Sequence, residues 1–208
     1  PESCKNVDIV GVKFSLGDDC IAVKSGKIYM GKKYKTPSEN IHIRQCLMEN
    51  GHGAVTVGSE MAGGVVNLTV EDCIFRHTDR GLRIKTRRGR GKDAILSNII
   101  FRNLTLDHVM TPLVVFENMD CTNCHVAAAY FDGLPEQKIE EIYMKDISIS
   151  YAEDAKCDVP AMSDGVEKSS KRGLFARNVA KLTLDNVRIK GQVGEAYELE
   201  GVDELIRR

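Results

Sequence analysis

Apolar and polar residues alternate along most of this chain, and one seven-residue form of the alternation recurs six times. Each copy reads polar, apolar, any residue, apolar, any residue, turn-forming, apolar. Alternation of period two is typical of β-strands, and Gly, Asn and Asp tolerate the bent backbone of a corner. Each copy therefore predicts a strand, a corner and a second strand. The copies begin at Asn6, Asn40, Asn67, Asn98, Glu141 and Lys181, and their corners fall at Gly11, Gln45, Asp72, Asn103, Asp146 and Asn186.

A third strand follows each of the first four copies, because apolar pairs recur fifteen and seventeen residues after the copy begins. Those copies start 34, 27 and 31 residues apart (at 6, 40, 67 and 98), which suits coils of three strands stacked about 4.8 Å apart. The chain is therefore predicted to be all-β, with residues 1–208 forming one domain, a right-handed parallel β-helix. The apolar pairs are Ile21 and Val23, Val55 and Val57, Leu82 and Ile84, and Leu113 and Val115.

Two segments depart from the repeat. Residues 151–178 are rich in charge, Ser and Gly and predict a long irregular loop, whereas the charged tail from Gly194 to Arg208 is expected to cover the open end of the solenoid.

An immunoglobulin-like sandwich is the competing fold. It needs antiparallel hairpins with tight two-residue turns, and the chain has no series of Asn-Gly or Asp-Gly turns joining apolar runs.

Composition mainly excludes classes of partner. The 208 residues carry a formal net charge of −1, which favours neither nucleic acid nor a membrane surface, and no apolar run is long enough to span a bilayer. Seven cysteines predict reduced, buried thiols rather than a disulfide framework. The cluster of Cys121, Cys124 and His125 lacks the second ligand pair of a zinc site, so no metal is predicted there. The segment beginning at Pro1 is not a signal peptide, and the compartment stays undetermined.

Stacking of the coils places chemically active residues on one outer wall. Side chains at even offsets from the start of each copy point outward, because those at offsets fifteen and seventeen point into the core. Two coil steps separate Asp18 from Arg83 by roughly 10 Å, and this gap is predicted to hold one sugar ring between acids and cations. The residues gathered on this wall are Asp18, Asp19, His52, Arg83 and Lys85, and Asp79 occupies the position in the third coil that stacks on Asp18 and His52.

Such a set of side chains suits the hydrolysis of a glycosidic bond in an anionic sugar. Two crowded carboxylates can divide the roles of acid and base, and an inverting enzyme uses one of them to hold the attacking water. An arginine can clamp a substrate carboxylate, and the basic run from Thr86 to Lys92 adds positive potential nearby. Singly, each residue is compatible with an ordinary surface role. Jointly, their placement on neighbouring coils favours a site.

Three motifs of this wall, in this order and on a β-helix, resemble those of the polygalacturonases, glycoside hydrolases that degrade pectin in cell walls. The resemblance covers nearly the whole chain and implies inverting hydrolysis of α-1,4-linked galacturonic acid in polygalacturonate or oligogalacturonides, without a metal or cofactor. It implies that Asp18 is the general acid and that Asp19 activates water. It also implies that His52 supports the acid, while Arg83 and Lys85 hold a substrate carboxylate. The motifs are Gly17-Asp18-Asp19, Gly51-His52-Gly53 and Arg83-Ile84-Lys85.

The chain departs from the family pattern in two places. The family carries a further catalytic aspartate in an Asn-Thr-Asp motif on the coil before Pro1, so this sequence lacks that acid and the family's N-terminal coils. Residues 112–119 are shorter than the family's cleft loop, and no Tyr occurs between Tyr34 and Tyr130. We therefore expect a β-helix truncated at its N-terminal end, weakly active or inactive alone, that self-associates through the unpaired strands at residues 4–14.

Two other functions stay open on the sequence alone. A calcium-dependent pectate lyase on the same architecture would use acids such as Asp18, Asp19 and Asp79 as metal ligands, although His52 and the Arg-Ile-Lys strand fit a hydrolase better. A non-catalytic module would only bind galacturonan or assemble through a basic groove. The choice between endo and exo action, and between galacturonan and a rhamnose-containing backbone, also stays open.

Overall fold

Parallel β-strands dominate the molecule. The computed structural model describes residues 1–86, 88–110, 116–159 and 166–208. Every pairing between its strands is parallel, and the coils follow one another as the repeat predicts, so the fold is a right-handed parallel β-helix. The strands are β1 Lys5–Val10, β2 Lys13–Ser15, β3 Ile21–Val23, β4 Ser38–Arg44, β5 Leu47–Glu49, β6 Val55–Gly58, β7 Val65–Glu71, β8 Ile74–Arg76, β9 Leu82–Lys85, β10 Leu96–Asp107, β11 Phe116–Cys124, β12 Ala127–Asp132, β13 Ile139–Tyr151, β14 Arg172–Arg177, β15 Val179–Lys190, β16 Tyr197–Glu200 and β17 Glu204–Arg207.

The sheet that positions the site is formed by the third strands, in the order β3–β6–β9. The predicted register is confirmed, because Ile21 pairs with Val55 and Val55 pairs in turn with Leu82. The largest sheet begins β1–β4–β7–β10 and continues through β11, β13, β15 and β17, while β12–β14–β16 form a further sheet on the later coils. The fourth predicted pair, Leu113 and Val115, lies outside the described residues.

The corners of the coils are formed by residues with a left-handed backbone. All six corners predicted from the repeat have a positive φ, between 52° and 68°. The sequence did not reveal further such corners, one at the start of each of the first four copies and one ten residues later in the second, third and fourth copies. Asn, Asp and His enter this conformation more readily than most residues. The residues at these two further corners are Asn6, Asn40, Asn67 and Asn98, and Asn50, His77 and His108.

A ladder of asparagines ties the first four coils together. The Nδ2 of Asn40 donates to Oδ1 of Asn6 at 2.9 Å, Asn67 donates to Asn40 at 2.9 Å, and Asn98 donates to Asn67 at 2.9 Å. Each amide in the middle of the ladder therefore donates to the coil before and accepts from the coil after. The left-handed corner is thus both permitted by the asparagine backbone and stabilised by its side chain.

The hydrophobic core fills the inside of the coils. Stacked aliphatic and aromatic side chains such as Ile43, Val70 and Phe101 have no exposed surface. Five of the seven cysteines are also buried, as predicted, and all seven are free thiols in the structure. Buried cysteines of this kind behave as small apolar residues.

Three segments differ from the sequence-based expectation. A helix, α1 Ile28–Tyr34, links the first coil to the second, and its Gly31 packs so closely on Ala62 that a Cβ would come within 2.6 Å. Strand β14 lies inside the interval 151–178, so the irregular segment is shorter than predicted. The tail adds β16 and β17 to the solenoid instead of a separate cap. Nowhere in the described part of the chain is a helix long and apolar enough to cross a membrane.

Candidate active site

The outer face of the third-strand sheet brings the predicted site residues together. Thr56 and Arg83 lie side by side on β6 and β9, and Lys85 pairs with Gly58 two residues further along the strands. Asp19 comes two residues before β3, at the corner that leads into the same sheet. Because parallel strands in register stack equivalent positions, residues more than sixty positions apart in the chain become neighbours.

Asp19 is the most enclosed acid of the site. Its Oδ2 accepts a hydrogen bond from Lys85 Nζ at 2.7 Å, and its Oδ1 lies 3.5 Å from Nη1 of Arg83. The Asp19 side chain is 9% exposed, and the two cations are each 16% exposed. Burial alone raises the pKa of Asp19, but the Lys85 hydrogen bond and the two positive charges outweigh it, so the pKa is lowered. Asp19 is therefore a carboxylate at neutral pH.

The predicted gap between acids and cations is absent at Asp19. Two coil steps separate the backbones, but Lys85 and Arg83 extend along the wall and contact the carboxylate directly. A sugar ring therefore does not fit between Asp19 and these cations, while the predicted gap between Asp18 and Arg83 stays a prediction.

Asp18 and His52 form the exposed part of the site. The Oδ1 of Asp18 accepts a hydrogen bond from the backbone N–H of Asp19 at 2.7 Å, which fixes the turn between the two acids. The backbone N–H of His52 donates to the Asp18 carbonyl at 3.2 Å, so the two motifs are joined directly. The ring Nδ1 of His52 lies 2.6 Å from Oδ2 of Asp79. That contact leaves Nε2 as the ring nitrogen available to a ligand.

Both glycines around His52 are required by close packing. A Cβ on Gly53 would come within 2.3 Å of Thr56 Oγ1 and 2.8 Å of Asp19 Oδ1, and a Cβ on Gly51 would come within 2.6 Å of Cys20 Sγ. By contrast, a Cβ on Gly17 would meet nothing within 4 Å. The Gly-His-Gly motif therefore serves to let the second coil approach the two aspartates.

Arg80 is a site residue that the sequence analysis missed. Its Nη1 lies 3.4 Å from the carbonyl oxygen of His52 and 3.6 Å from Oδ2 of Asp79, and its side chain is 21% exposed. Burial lowers the pKa of Arg80, and repulsion from Arg83 lowers it further. The signal available in the sequence was its position next to Asp79, an acid already placed on the wall.

The structure separates the acids that a calcium site would need. Asp19 contacts Lys85 and Arg83, whereas Asp79 contacts His52 and Arg80, so each carboxylate faces cations rather than a shared centre. Among the described residues, no group of three or more His, Cys, Asp or Glu side chains is placed to hold a metal ion.

The cysteine pair beside His125 belongs to the core. Cys121 and Cys124 are fully buried, and burial raises the pKa of both thiols, that of Cys124 to about 12. The predicted packing role of this pair is confirmed by its burial.

The basic run that follows β9 is only partly described. Its backbone includes a single 3₁₀ turn, Arg88–Arg90, while Arg87 lies outside the described residues. Its predicted contribution to the potential of the site therefore stays a prediction.

Comparisons with known proteins bear on the family and the fold of the chain. The model of the glycosyl hydrolases family 28 matches residues 1–155. A probable polygalacturonase from Vitis vinifera is 28% identical over 96% of this chain and 46% of its own length. An endo-polygalacturonase from Pectobacterium carotovorum subsp. carotovorum is 34% identical over 55% of this chain and 26% of its own. The crystal structure of an exopolygalacturonase from Thermotoga maritima aligns with a TM-score of 0.69 at 24% identity, over 97% of this chain and 43% of its own. The chain thus spans less than half the length of these relatives.

Proposed function

Because the chain belongs to family 28 of the glycosyl hydrolases, we propose that its outer wall hydrolyses α-1,4-galacturonosidic bonds of pectin by an inverting acid–base mechanism. One observation supports this most strongly. Asp19, kept ionised by Lys85 and Arg83, stands next to the exposed Asp18 on the face that also carries His52. Two neighbouring carboxylates in different surroundings are what a divided acid–base role requires.

The two aspartates have different parts in the proposed reaction. Asp19 has a lowered pKa and cannot donate a proton at neutral pH, so it acts as the base that orients the attacking water. Asp18 is exposed at the solvent side of the turn and acts as the general acid on the leaving oxygen. In an inverting hydrolase the water and the acid work on opposite faces of the sugar.

The remaining residues support the acids and bind the substrate. His52 is held by Asp79 and joined through its backbone to Asp18, so it fixes the position of the acid. Lys85 and Arg83 each use only part of their donor capacity on Asp19, which leaves N–H groups for a substrate carboxylate. In this arrangement the substrate carboxylate shares its cations with the catalytic base.

Product analysis on polygalacturonate tests the proposal. We expect this 208-residue chain to release reducing ends slowly, with saturated products and no effect of a chelator. Asp18→Asn should lower the rate by about 10²- to 10⁴-fold, the usual contribution of a general acid. Asp8→Asn is the matched control, because Asp8 is an exposed acid on β1 whose neighbour is His42. Cleavage that survives Asp18→Asn would contradict the proposal.

The other two functions give different outcomes in the same assay. A lyase would produce unsaturated ends that absorb ultraviolet light and would stop when calcium is removed. A non-catalytic module would bind trigalacturonate without cleaving it, and Asp18→Asn would leave that binding unchanged. Either result would replace the hydrolase proposal.

Self-association of the chain is a second part of the proposal. Within the described residues β1 pairs only with β4, and Val10, Val12 and Leu16 nearby are 39%, 38% and 46% exposed. An unpaired strand edge beside apolar surface is a template for another copy. Sedimentation velocity over a dilution series should show dimers or larger species, and Val10→Lys should shift the distribution toward monomer. A monomer at all concentrations would exclude this part.

A further inference from the structure

Arg80 lies at the edge of the site, and no described residue is a close partner for its charge. Of the two polar contacts that its guanidinium makes with described residues, the one to the His52 carbonyl is 3.4 Å and the one to the Asp79 carboxylate is 3.6 Å. Charge-assisted hydrogen bonds are normally about 2.7–2.9 Å long. Asp79 itself makes its short contact, 2.6 Å, with His52. The guanidinium of Arg80 is therefore held in place but incompletely neutralised.

The surroundings of Arg80 favour an additional anion. Its side chain is 21% exposed, so it has lost most of its hydration. Burial lowers the pKa of Arg80, and repulsion from the Arg83 charge lowers it further. Attraction to Asp79, Asp19 and Asp158 raises it in part. A partly buried cation that faces another cation gains from a carboxylate that approaches from solvent. Lys85 differs, since a short hydrogen bond of 2.7 Å to the Asp19 carboxylate already offsets its charge.

We propose that Arg80 binds a substrate carboxylate at a subsite on the His52 side of the acids, separate from Arg83 and Lys85. This assignment rests on the proposed function, since it takes a galacturonide as the ligand. A planar guanidinium suits bidentate pairing with a uronate, and a methyl ester removes the negative charge that it recognises. Arg80 thereby makes the site prefer free galacturonic acid units to esterified ones.

A purely structural role for Arg80 gives a different expectation. If Arg80 served only to donate a hydrogen bond to the His52 carbonyl, replacing the Arg80 side chain would disturb the position of His52. Every ligand of the site would then lose affinity to the same extent, whether charged or neutral. Carboxylate recognition instead predicts a loss that depends on the charge of the ligand.

Calorimetric titration with trigalacturonate and its fully methyl-esterified form separates these roles. Arg80→Gln should weaken binding of the free acid by about tenfold to a hundredfold, the range for hydrogen bonds to a charged group, and leave the ester almost unchanged. Arg80→Lys retains the charge without the planar fork and should lose less. The Arg80→Lys variant also provides the test if Arg80→Gln does not fold. Arg102→Gln is the control, because Arg102 is a half-exposed arginine paired with Glu71 on another sheet.

Each outcome of the titration decides something. A loss confined to the free acid, partly restored by lysine, supports the subsite. Equal losses for both ligands, or no loss at all, overturn it while leaving the proposed function intact. If the unaltered chain binds neither ligand, the proposed function fails and this subsite fails with it.

Discussion

Lys85 Nζ and Asp19 Oδ2 are 2.7 Å apart, although 66 residues separate them along the chain. Lys85 belongs to β9 and Asp19 to the turn before β3, and the intervening β6 places the small residue Gly58 beside Lys85. This contact joins the first and third coils of the site and sets the ionisation of its central carboxylate.

Replacing Lys85 by Met should destabilise the protein in a pH-dependent way. The folded-state pKa of Asp19 is lowered, so the ion pair stabilises the fold above the ordinary aspartate pKa of about 4 and loses that effect as the pH falls through the folded value. We expect a cost of about 2 kcal/mol at pH 7, between the values for exposed and buried pairs, and a smaller cost near pH 3. Urea unfolding at both pH values measures it.

The control for that experiment is Lys5→Met, which removes an exposed pair with Glu39. It should change the free energy of unfolding far less than Lys85→Met at pH 7. If Lys85→Met lowers the free energy of unfolding equally at both pH values, the ion pair does not control the ionisation of Asp19.

Adding one methyl group at Gly53 should disrupt the site. The Cβ of Gly53→Ala would overlap Thr56 Oγ1 and Asp19 Oδ1, whereas that of Gly17→Ala meets no atom within 4 Å. We expect Gly53→Ala to cost about 1–3 kcal/mol, as overpacking does, and to weaken trigalacturonate binding. Gly17→Ala should leave both properties nearly unchanged. Equal behaviour of the two variants in thermal unfolding and calorimetry would refute the packing argument.

Removing the His52 ring should affect function much more than stability. His52 and Asp79 are 56% and 38% exposed, so their pairing is worth less than about 1 kcal/mol. We expect His52→Gln to unfold at nearly the same urea concentration as the unaltered chain while galacturonan cleavage falls. A large loss of stability would instead make His52 a structural residue.

Two substitutions at Asn67 should separate the backbone and side-chain contributions of the asparagine ladder to stability. Asn67 has a φ of 56° and takes part in two ladder hydrogen bonds. Asn67→Gly keeps the left-handed corner and should cost about 1–2 kcal/mol for the lost bonds. Asn67→Ala adds the left-handed penalty of about 1–2 kcal/mol, so its unfolding free energy should be lower still. If both variants lower the free energy of unfolding by similar amounts, the left-handed corner carries no energetic penalty for alanine.

The alternation of residues was sufficient to predict the coils and the shared wall. Strand period and corner chemistry are local properties, so the register from Ile21 to Val55 to Leu82 could be read directly from the sequence. Parallel stacking then placed the three motifs on one face. These predictions needed only the geometry common to all β-helices.

Side-chain reach and local insertions could not be read in the same way. The spacing of coils implied a separation between acids and cations, but the long side chains of Lys85 and Arg83 reach the Asp19 carboxylate. The Asp79 contact with His52 and the position of Arg80 depend on the turn before β9, whose path no repeat specifies. Helix α1 likewise forms in a link outside the alternating pattern.

The most direct test of the shared wall is an NMR titration of the chain with trigalacturonate, following the backbone amide signals. Our account predicts the largest shifts at Asp18, Asp19, His52, Arg83 and Lys85, with those of the β12–β14–β16 sheet nearly unchanged. Shifts centred on that distant sheet, for example around Phe175, or no shifts at millimolar ligand, would contradict it.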